Sequence, residues 1–400
     1  MNKFTLRDFN LVQKKVLMRV DFNVPMRDGT IIDDSRILQS LPSIQYVLKK
    51  RGKLILMSHL GRPEGKYDHH LSLAPCARHL ERLLKQKVLF APECIGVGSE
   101  RLVESMKGGE LLLLENLRFH RGEEHPEEYP NFVKALAPLG EIYIDDAFGA
   151  AHRNHASITS IIPYFPRANG LGFLMQREVE RLSYLLDRAR PPFYAIIGGA
   201  KVSSKIGMLQ ALVPKINGLF IGGGMAFAFL KVLGVEIGDS VCDNQSLLAA
   251  KKLMRVCEEK GVSLHLPIDL RVSVSPFDQH APTNILLVKE GIPRGWRGVD
   301  IGPKTLEQWN PILKKGQTIF WNGPMGIFEI EPFAQGTFSL AKMLGSSKAN
   351  RIVGGGDSIS AIHQMKMETR FTHLSTGGGA SLKYLEHGSL PGVEALSNKL

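Results

Sequence analysis

Short apolar runs, each ending at Gly, Asp, Asn, His or Ser and followed by a helix-like segment, recur along the whole 400-residue chain. In the first half they read "KVLMRV", "KLILMS", "KVLF", "LLLLE" and "IYID". In the second half they read "FYAII", "GLFIG", "VSLHLP", "TIFW", "RIVGG" and "THLS". Runs this short and continuously apolar read as strands buried on both faces of a parallel sheet. Their alternation with helical segments gives an α/β fold. Eleven runs are too many for an eight-stranded barrel, and 400 residues are too many for one ordinary core. Two doubly wound, Rossmann-like parallel-sheet domains are therefore expected. The division should fall near residues 170 to 190. There Leu174, Val179, Leu182, Leu185 and Leu186 recur at helical spacing, and Pro191 and Pro192 stop the helix. One linking helix, 173–190, is expected to act as a hinge.

Composition narrows the function classes. Hydrophobic residues make up 44% and charged residues 22%, as in a soluble globular chain. No apolar run approaches the ~18 residues of a membrane span. The N-terminus "MNKFTLRDFN" lacks the apolar core of a secretory signal. Cys76, Cys94, Cys242 and Cys257 show no metal-binding spacing, which fits a reduced, cytoplasmic compartment. The net charge of +11 raises the question of nucleic acid. There is no basic block and no aromatic-basic interleaving, so small polyanions are the better match.

In open parallel sheets ligands bind beyond the carboxyl ends of the strands. In the first half those positions carry "DFN" (Asp21 to Asn23), "SHLGRPEG" (Ser58 to Gly65), "ENLRFHRGEE" and "DDAFGAAHRNH". They bring Arg62, Arg118, Arg121, Arg153, His59 and His152 to strand ends. A single loop arginine is ordinarily solvated. Arginines repeated at successive strand ends suit a phosphate or carboxylate, which guanidinium holds bidentately.

The second half ends its strands differently: "GGAKVSSK", "GGGMAF", "WNGPMG", "GGGDSIS" and "STGGGAS". One glycine pair is ordinarily a tight turn. Five such ends on one sheet suit a nucleotide phosphate chain, because glycine lets backbone N–H groups approach phosphate oxygens. Neither the P-loop pattern nor a dinucleotide-binding GxGxxG is present. Asp357 follows a glycine cluster where a carboxylate can hold Mg2+. One half thus suits a small, highly charged anion and the other a nucleoside polyphosphate. Phosphoryl transfer needs both.

The segments "RVDFNVP", "SHLGRPEG", "LLLLENLRFHRGEE", "DDAFGAAHR", "GGAKVSSKI", "FWNGPMGIFE", "GGGDS" and "STGGGASLKYLE" together resemble the phosphoglycerate kinase family, in its order and over essentially the whole chain. The resemblance implies a monomeric glycolytic phosphotransferase with a carboxyl acceptor. It implies Mg2+-dependent, reversible transfer between 1,3-bisphosphoglycerate and ADP, giving 3-phosphoglycerate and ATP. It implies a 3-phosphoglycerate site of Asp21, Asn23, Arg36, His59, Leu60, Gly61, Arg62, Arg118 and Arg153. It implies a nucleotide site of Lys201, Lys205, Gly298, Asn322, Glu329, Gly354, Gly355, Gly356, Asp357 and Ser358, with Asp357 toward the metal. Gly377, Gly378 and Gly379 are expected at a helix N-terminus facing the transferring phosphoryl group. Residues 386–400 are expected to return to the first domain, giving domains of 1–172 with that tail and 173–385.

Two departures stand out: Ser204 where the family usually has Asp, and Asp145-Asp146 where it often has Asn-Asp. The acceptor carboxylate is already ionised at pH 7, so no general base is required. His59 and His152 therefore read as anion binders rather than proton shuttles. Lys205 and Arg36, with Gly378 and Gly379, are the candidates for aligning and neutralising the transferred group. The alternatives are another small-acid kinase, a nucleic-acid binder and an inactive scaffold.

Overall fold

The computed structural model describes residues 2–274 and 277–399. The chain forms two compact units, Met1–Glu180 with Ser389–Leu400, and Arg181–Gly388.

The first unit holds a parallel sheet of β1 (Lys15–Arg19), β4 (Lys53–Met57), β5 (Val88–Ala91), β6 (Leu111–Leu114), β7 (Ile142–Asp145) and β8 (Asn169–Leu171). Its order is β5-β6-β4-β1-β7-β8. A two-stranded hairpin of β2 (Met26–Arg27) and β3 (Thr30–Ile31) precedes the helix Ser35–Lys49. That helix buries Ile37, Ile44 and Val47, which share one face. Together with Val16, Met18, Leu54, Leu56 and Leu111 they form the main core, each fully buried side chain stabilising by about 1.5–3 kcal/mol. The chain winds outward from β1 on one side and returns on the other through β7. These two strands are neighbours from Val16↔Ile142 to Arg19↔Asp145, so the winding reverses between them, where a ligand crevice forms.

The second unit repeats the plan with β9 (Phe193–Ile197), β10 (Gly218–Ile221), β11 (Ser263–His265), β15 (Thr318–Asn322), β16 (Asn350–Gly354) and β17 (His373–Ser375). Its order is β11-β10-β9-β15-β16-β17, with the reversal between β9 and β15. Between β11 and β15 the chain makes an antiparallel sheet of β12 (Asp269–Ser273), β13 (Thr283–Leu287) and β14 (Arg297–Ile301).

All eleven apolar runs are strands of the two large sheets. The twelfth, β8, is a three-residue edge strand, "NGL", too short and too polar to stand out. The antiparallel sheet escaped because β13 leaves Thr283, Asn284 and Ile285 exposed. A sheet covered on one face has no continuous apolar run.

Two boundaries differ from expectation. The linking helix is Phe173–Asp187, ending three residues short of 190, and the division between units falls inside it rather than at its start. Its first turn is tied to the first unit: Phe173 N donates to Ser43 Oγ at 2.9 Å, and Leu174 N to Asp146 Oδ1 at 2.8 Å. Its last turn is tied to the second, where Tyr184 Oη lies 3.2 Å from Thr318 Oγ1. The returning tail begins at Ser389 rather than 386, because the helix Gly379–His387 continues until Gly388 closes it at φ +79°. Beyond it, Ser397 N donates to Asn169 Oδ1 at 2.7 Å.

Candidate active site

In the first unit the residues at the strand ends converge on His59, just past β4. Arg19 Nη2 lies 3.0 Å from His59 Nδ1. Guanidinium has no acceptor, so Nδ1 accepts and Nε2 carries the imidazole proton. Burial drives the His59 pKa well below its ordinary value, helped by the positive charges of Arg19, Arg118, Arg153 and Arg36. His59 is thus a neutral N–H donor surrounded by four arginines. His152 is pushed down the same way, by burial first and then by Arg153.

Side chains and loop carbonyls place the arginines. Asp21 Oδ2 holds Arg36 Nη1 at 2.8 Å. Asn23 Oδ1 accepts from Gly61 N at 3.0 Å, and Arg118 Nη1 donates to Gly61 O at 2.7 Å. Asn116 staples the loops, accepting from Leu60 N and Arg118 N while donating to Leu60 O and Leu71 O. Arg118 is 2% exposed, and its Nη2 has no hydrogen-bond partner. Its Nε lies 3.1 Å from Glu124 Oε1 but is not aligned for a hydrogen bond. A buried donor with no partner is costly unless a ligand supplies the acceptor. Arg62 is solvent-exposed, and Arg121 lines a mixed-charge cavity with Glu64, Lys66 and Glu128.

Sequence reasoning missed what stands behind this cluster. Arg19 is fully buried inside β1, with Nε on Ser157 Oγ at 2.9 Å and Nη2 3.7 Å from Glu123 Oε1. Ser157 in turn donates to Glu123 Oε1 at 2.7 Å. Burial works against the Glu123 charge, but His155, 3.7 Å away, and then Arg19 and Ser157 hold its pKa below the ordinary value. The available signal was a lone arginine inside an apolar central strand.

In the second unit Lys205 sits at the reversal point. Its Nζ donates to Gly198 O at 2.7 Å, just past β9, and to Asn322 O at 3.2 Å, the last carbonyl of β15. Burial lowers its pKa to about 8, with the Asp357 charge opposing. Asn322 is 1% exposed and its Nδ2 has no partner. A Cβ on Gly355 would stand 3.1 Å from that nitrogen. Ser358 Oγ accepts from Gly323 N at 2.6 Å, pinning the first turn of the helix Gly356–Gln364 to the loop after β15. Asp357 lies exposed in that first turn. Gly378, at φ +51°, opens the helix Gly379–His387, and a Cβ there would meet nothing within 4 Å. The partial positive charge of that helix end is therefore uncovered.

A cavity of about 330 Å³ opens beside these loops. Phe227, Val241, Leu270 and Met325 give it apolar walls, and Gly298, Glu329 and Asp357 lie on its lining. A Cβ at Gly298 would fall 2.1 Å from Phe227 Cζ, so a side chain there invades the wall. Asp300 braces the floor, accepting from Gly336 N and Ile301 N. Lys205, Asn322, Gly354, Gly355, Gly356 and Ser358 form the adjoining strand-end cluster, and Asp357 belongs to both. Lys201 stands apart, exposed, with Nζ 3.5 Å from Asp243 Oδ2. Ser204 Oγ bonds back to Lys201 O at 2.8 Å. Leu270 escaped the sequence reading because it lies on the antiparallel sheet that reading missed.

The model of the phosphoglycerate kinase family matches residues 6–388. A phosphoglycerate kinase of Koribacter versatilis is 46% identical over 407 residues, covering 100% of both chains. One from Chlamydia caviae is 44% identical over 400 residues, covering 99% of each. Among solved structures, phosphoglycerate kinase from Coxiella burnetii superposes with a TM-score of 0.87 at 37% identity, covering 98% of each chain. That from Pyrococcus horikoshii gives 0.86 at 32%, again covering 98% of each. The full-length match in sequence and in fold leaves one assignment: the chain belongs to the phosphoglycerate kinase family of phosphotransferases.

Proposed function

We propose that the chain catalyses reversible transfer of a phosphoryl group between 1,3-bisphosphoglycerate and MgADP, giving 3-phosphoglycerate and MgATP. The observation that carries this reading is the array of buried Arg19 and Arg118 with half-buried Arg36 and Arg153, whose charges all act on neutral, buried His59. Such an array suits a compact ligand bearing both phosphate and carboxylate. The ribose and base of the nucleotide fit the apolar cavity, with its phosphates toward Asn322, Lys205 and Gly354 to Ser358. Two unpartnered buried donors at the strand ends, Arg118 Nη2 and Asn322 Nδ2, would gain phosphate or carboxylate acceptors.

Asp357 is the residue to hold Mg2+. It offers one hard oxygen ligand, and no three-ligand cluster includes it among the described residues. A lone carboxylate suits a metal that arrives on nucleotide phosphates and keeps several waters. When bound, the metal would neutralise phosphate charge. The chain's own groups orient and bind. Lys205 supplies a positive charge beside the transferred group, Arg36 steadies the acceptor, and Gly378 and Gly379 present backbone N–H groups. The carboxylate acceptor needs no base, so neutral His59 donates a hydrogen bond from Nε2 rather than shuttling a proton.

A coupled assay of ATP consumption with and without 3-phosphoglycerate tests the reaction. Consumption that ignores 3-phosphoglycerate but responds to another carboxylate would assign a different acceptor. The enzyme is further inferred to act as a cytoplasmic monomer, a compartment supported by four free cysteines. Among the described residues no helix is long and apolar enough to cross a membrane.

The reading also entails closure. Anion ligands lie before residue 155 and nucleotide ligands after residue 197, whereas transfer needs reacting atoms ~3–3.5 Å apart and water excluded. Bending at the helix Phe173–Asp187 and at the return near Ser389 would supply this. Small-angle scattering should show a smaller radius of gyration with both ligands bound than with neither. An unchanged radius, with binding of both demonstrated, overturns the closure.

A further inference from the structure

Asp68, His69 and His70 lie on the loop that leaves β4, past Gly61 and Arg62, and the proposed function uses none of them. Their ligand atoms, one carboxylate oxygen and one nitrogen from each imidazole, all fall within 4.8 Å of one another. The two imidazole rings stand 3.7 Å apart between centroids. Both histidines are exposed, and Asp68 is half-buried.

The backbone beneath them is already fixed. Asp68 caps the short turn His69–Leu71, its Oδ1 accepting from His70 N at 2.9 Å. Leu71 N donates to Asp68 O at 2.9 Å. Tyr67 packs on Phe119 with ring centroids 5.0 Å apart. Leu71 O accepts from Asn116 Nδ2, and Ser72 Oγ donates to Glu115 Oε2 at 2.6 Å. Only side-chain rotations therefore separate the three donors from a common centre.

We propose that Asp68, His69 and His70 form a surface site for a borderline transition-metal cation such as Ni2+, Zn2+ or Cu2+. Two imidazoles and one carboxylate are a donor set that such ions prefer, whereas Mg2+ and Ca2+ favour oxygen alone. Three protein ligands leave positions for water, so the site is open rather than closed. Asp68 Oδ1 is engaged by His70 N, so Oδ2 is the oxygen that ligates. The ion would clamp the turn that carries Leu71. Leu71 backs Gly61: a Cβ on Gly61 would stand 2.6 Å from Leu71 Cδ2. Metal binding thus stiffens the loop without touching the anion cluster itself.

Calorimetric titration of Ni2+ into the full-length protein, without nucleotide, tests the site. One equivalent should bind, and the affinity should fall with pH because imidazole must be deprotonated to ligate. His69→Ala and His70→Ala should each weaken binding on the order of 10-fold or more, as losing even a supporting group costs 10–100-fold. His125→Ala, on a different loop, should not. The electron paramagnetic resonance spectrum of bound Cu2+ should show two nitrogen donors in the parent protein and one in either variant. Kinase activity in Mg2+ alone should be the same in all variants, which separates failure of the metal site from failure of the proposed reaction. Unaltered Ni2+ affinity in His69→Ala and His70→Ala, or loss of binding only in His125→Ala, overturns the proposal.

Discussion

The two six-stranded sheets both reverse their winding beside their first strand, but they prepare opposite kinds of anion site. At the β1–β7 reversal the first unit buries charge. Arg19 lies inside the sheet against Glu123 and Ser157. Arg118 is almost fully buried, and Asp21 fixes Arg36. At the β9–β15 reversal the second unit offers backbone, glycine and a single lysine, Lys205, on the carbonyls of Gly198 and Asn322. Guanidinium forks held by buried partners impose one geometry, which suits a small anion of fixed shape. Backbone N–H groups left accessible by glycine suit a flexible phosphate chain. The first site is therefore stiff and expensive to desolvate, and the second is adaptable.

The sharpest way to break this contrast is to remove the lysine at the β9–β15 reversal. Lys205→Ala should lower kcat by roughly 10²-fold or more with a smaller change in KM, as expected for a group acting on the transition state. Lys201→Ala, removing an exposed lysine paired with Asp243, should cost far less. The free enzyme's kcat/KM for nucleotide should also fall as pH rises through about 8, where Lys205 loses its proton. Equal losses from the two lysines in steady-state kinetics would remove Lys205 from the centre of the site.

The next effect separates the nucleotide wall from the anion cluster. Gly298→Val would drive a side chain into Phe227, since even a Cβ lies 2.1 Å from Cζ. The KM for ATP should rise on the order of 10-fold, because a misfilled pocket loses binding shared by ground and transition states. The KM for 3-phosphoglycerate should not change. A rise in both would show that the two sites are not built independently.

What was legible in the sequence follows the same divide. The parallel strands announced themselves because burial on both faces leaves an unbroken apolar run, and the residues after each run could then be read as ligands. Asp21, His59 and Arg118 stand at such ends, and Arg36, supplied by the family resemblance rather than by any strand end, pairs with Asp21. The supporting layer was not legible. Arg19 reads as an interruption of a strand, and nothing local says that Glu123 and Ser157, more than 100 residues away, will neutralise it. The apolar cavity was hidden for the converse reason. Its wall residue Leu270 belongs to a one-sided antiparallel sheet whose pattern is diluted by exposed positions. The sequence favours Lys205 over Lys201 for its place one turn later, and the structure adds that Lys205 lies on the carbonyls of Gly198 and Asn322 while Lys201 is exposed.

The smallest expected effect concerns the cost of burying charge in the first unit. Asp145 ends β7 fully buried; its Oδ1 accepts from Ala147 N at 2.9 Å, and its Oδ2 has no partner. Burial raises its pKa to about 7, against the relief given by Ala147 N–H and the Arg19 charge, while neighbouring Asp146 adds repulsion. In the unfolded chain the same carboxyl titrates near its ordinary value of about 3.9. Between those values the folded protein holds the extra proton, so stability falls as pH rises from about 4 to about 7. Above that window the whole penalty is present. Asp145→Asn keeps the Oδ1 acceptor and removes the charge, leaving Asn before Asp146. It should therefore stabilise the protein at pH 8 by about 1–3 kcal/mol, raising the calorimetric Tm by a few degrees. The gain should shrink by more than half at pH 5, where the wild-type carboxyl is already mostly protonated. A Tm gain that is equal at pH 5 and pH 8 would show that Arg19 and its neighbours already compensate this carboxylate, and that the stiff site is built at no cost in buried charge.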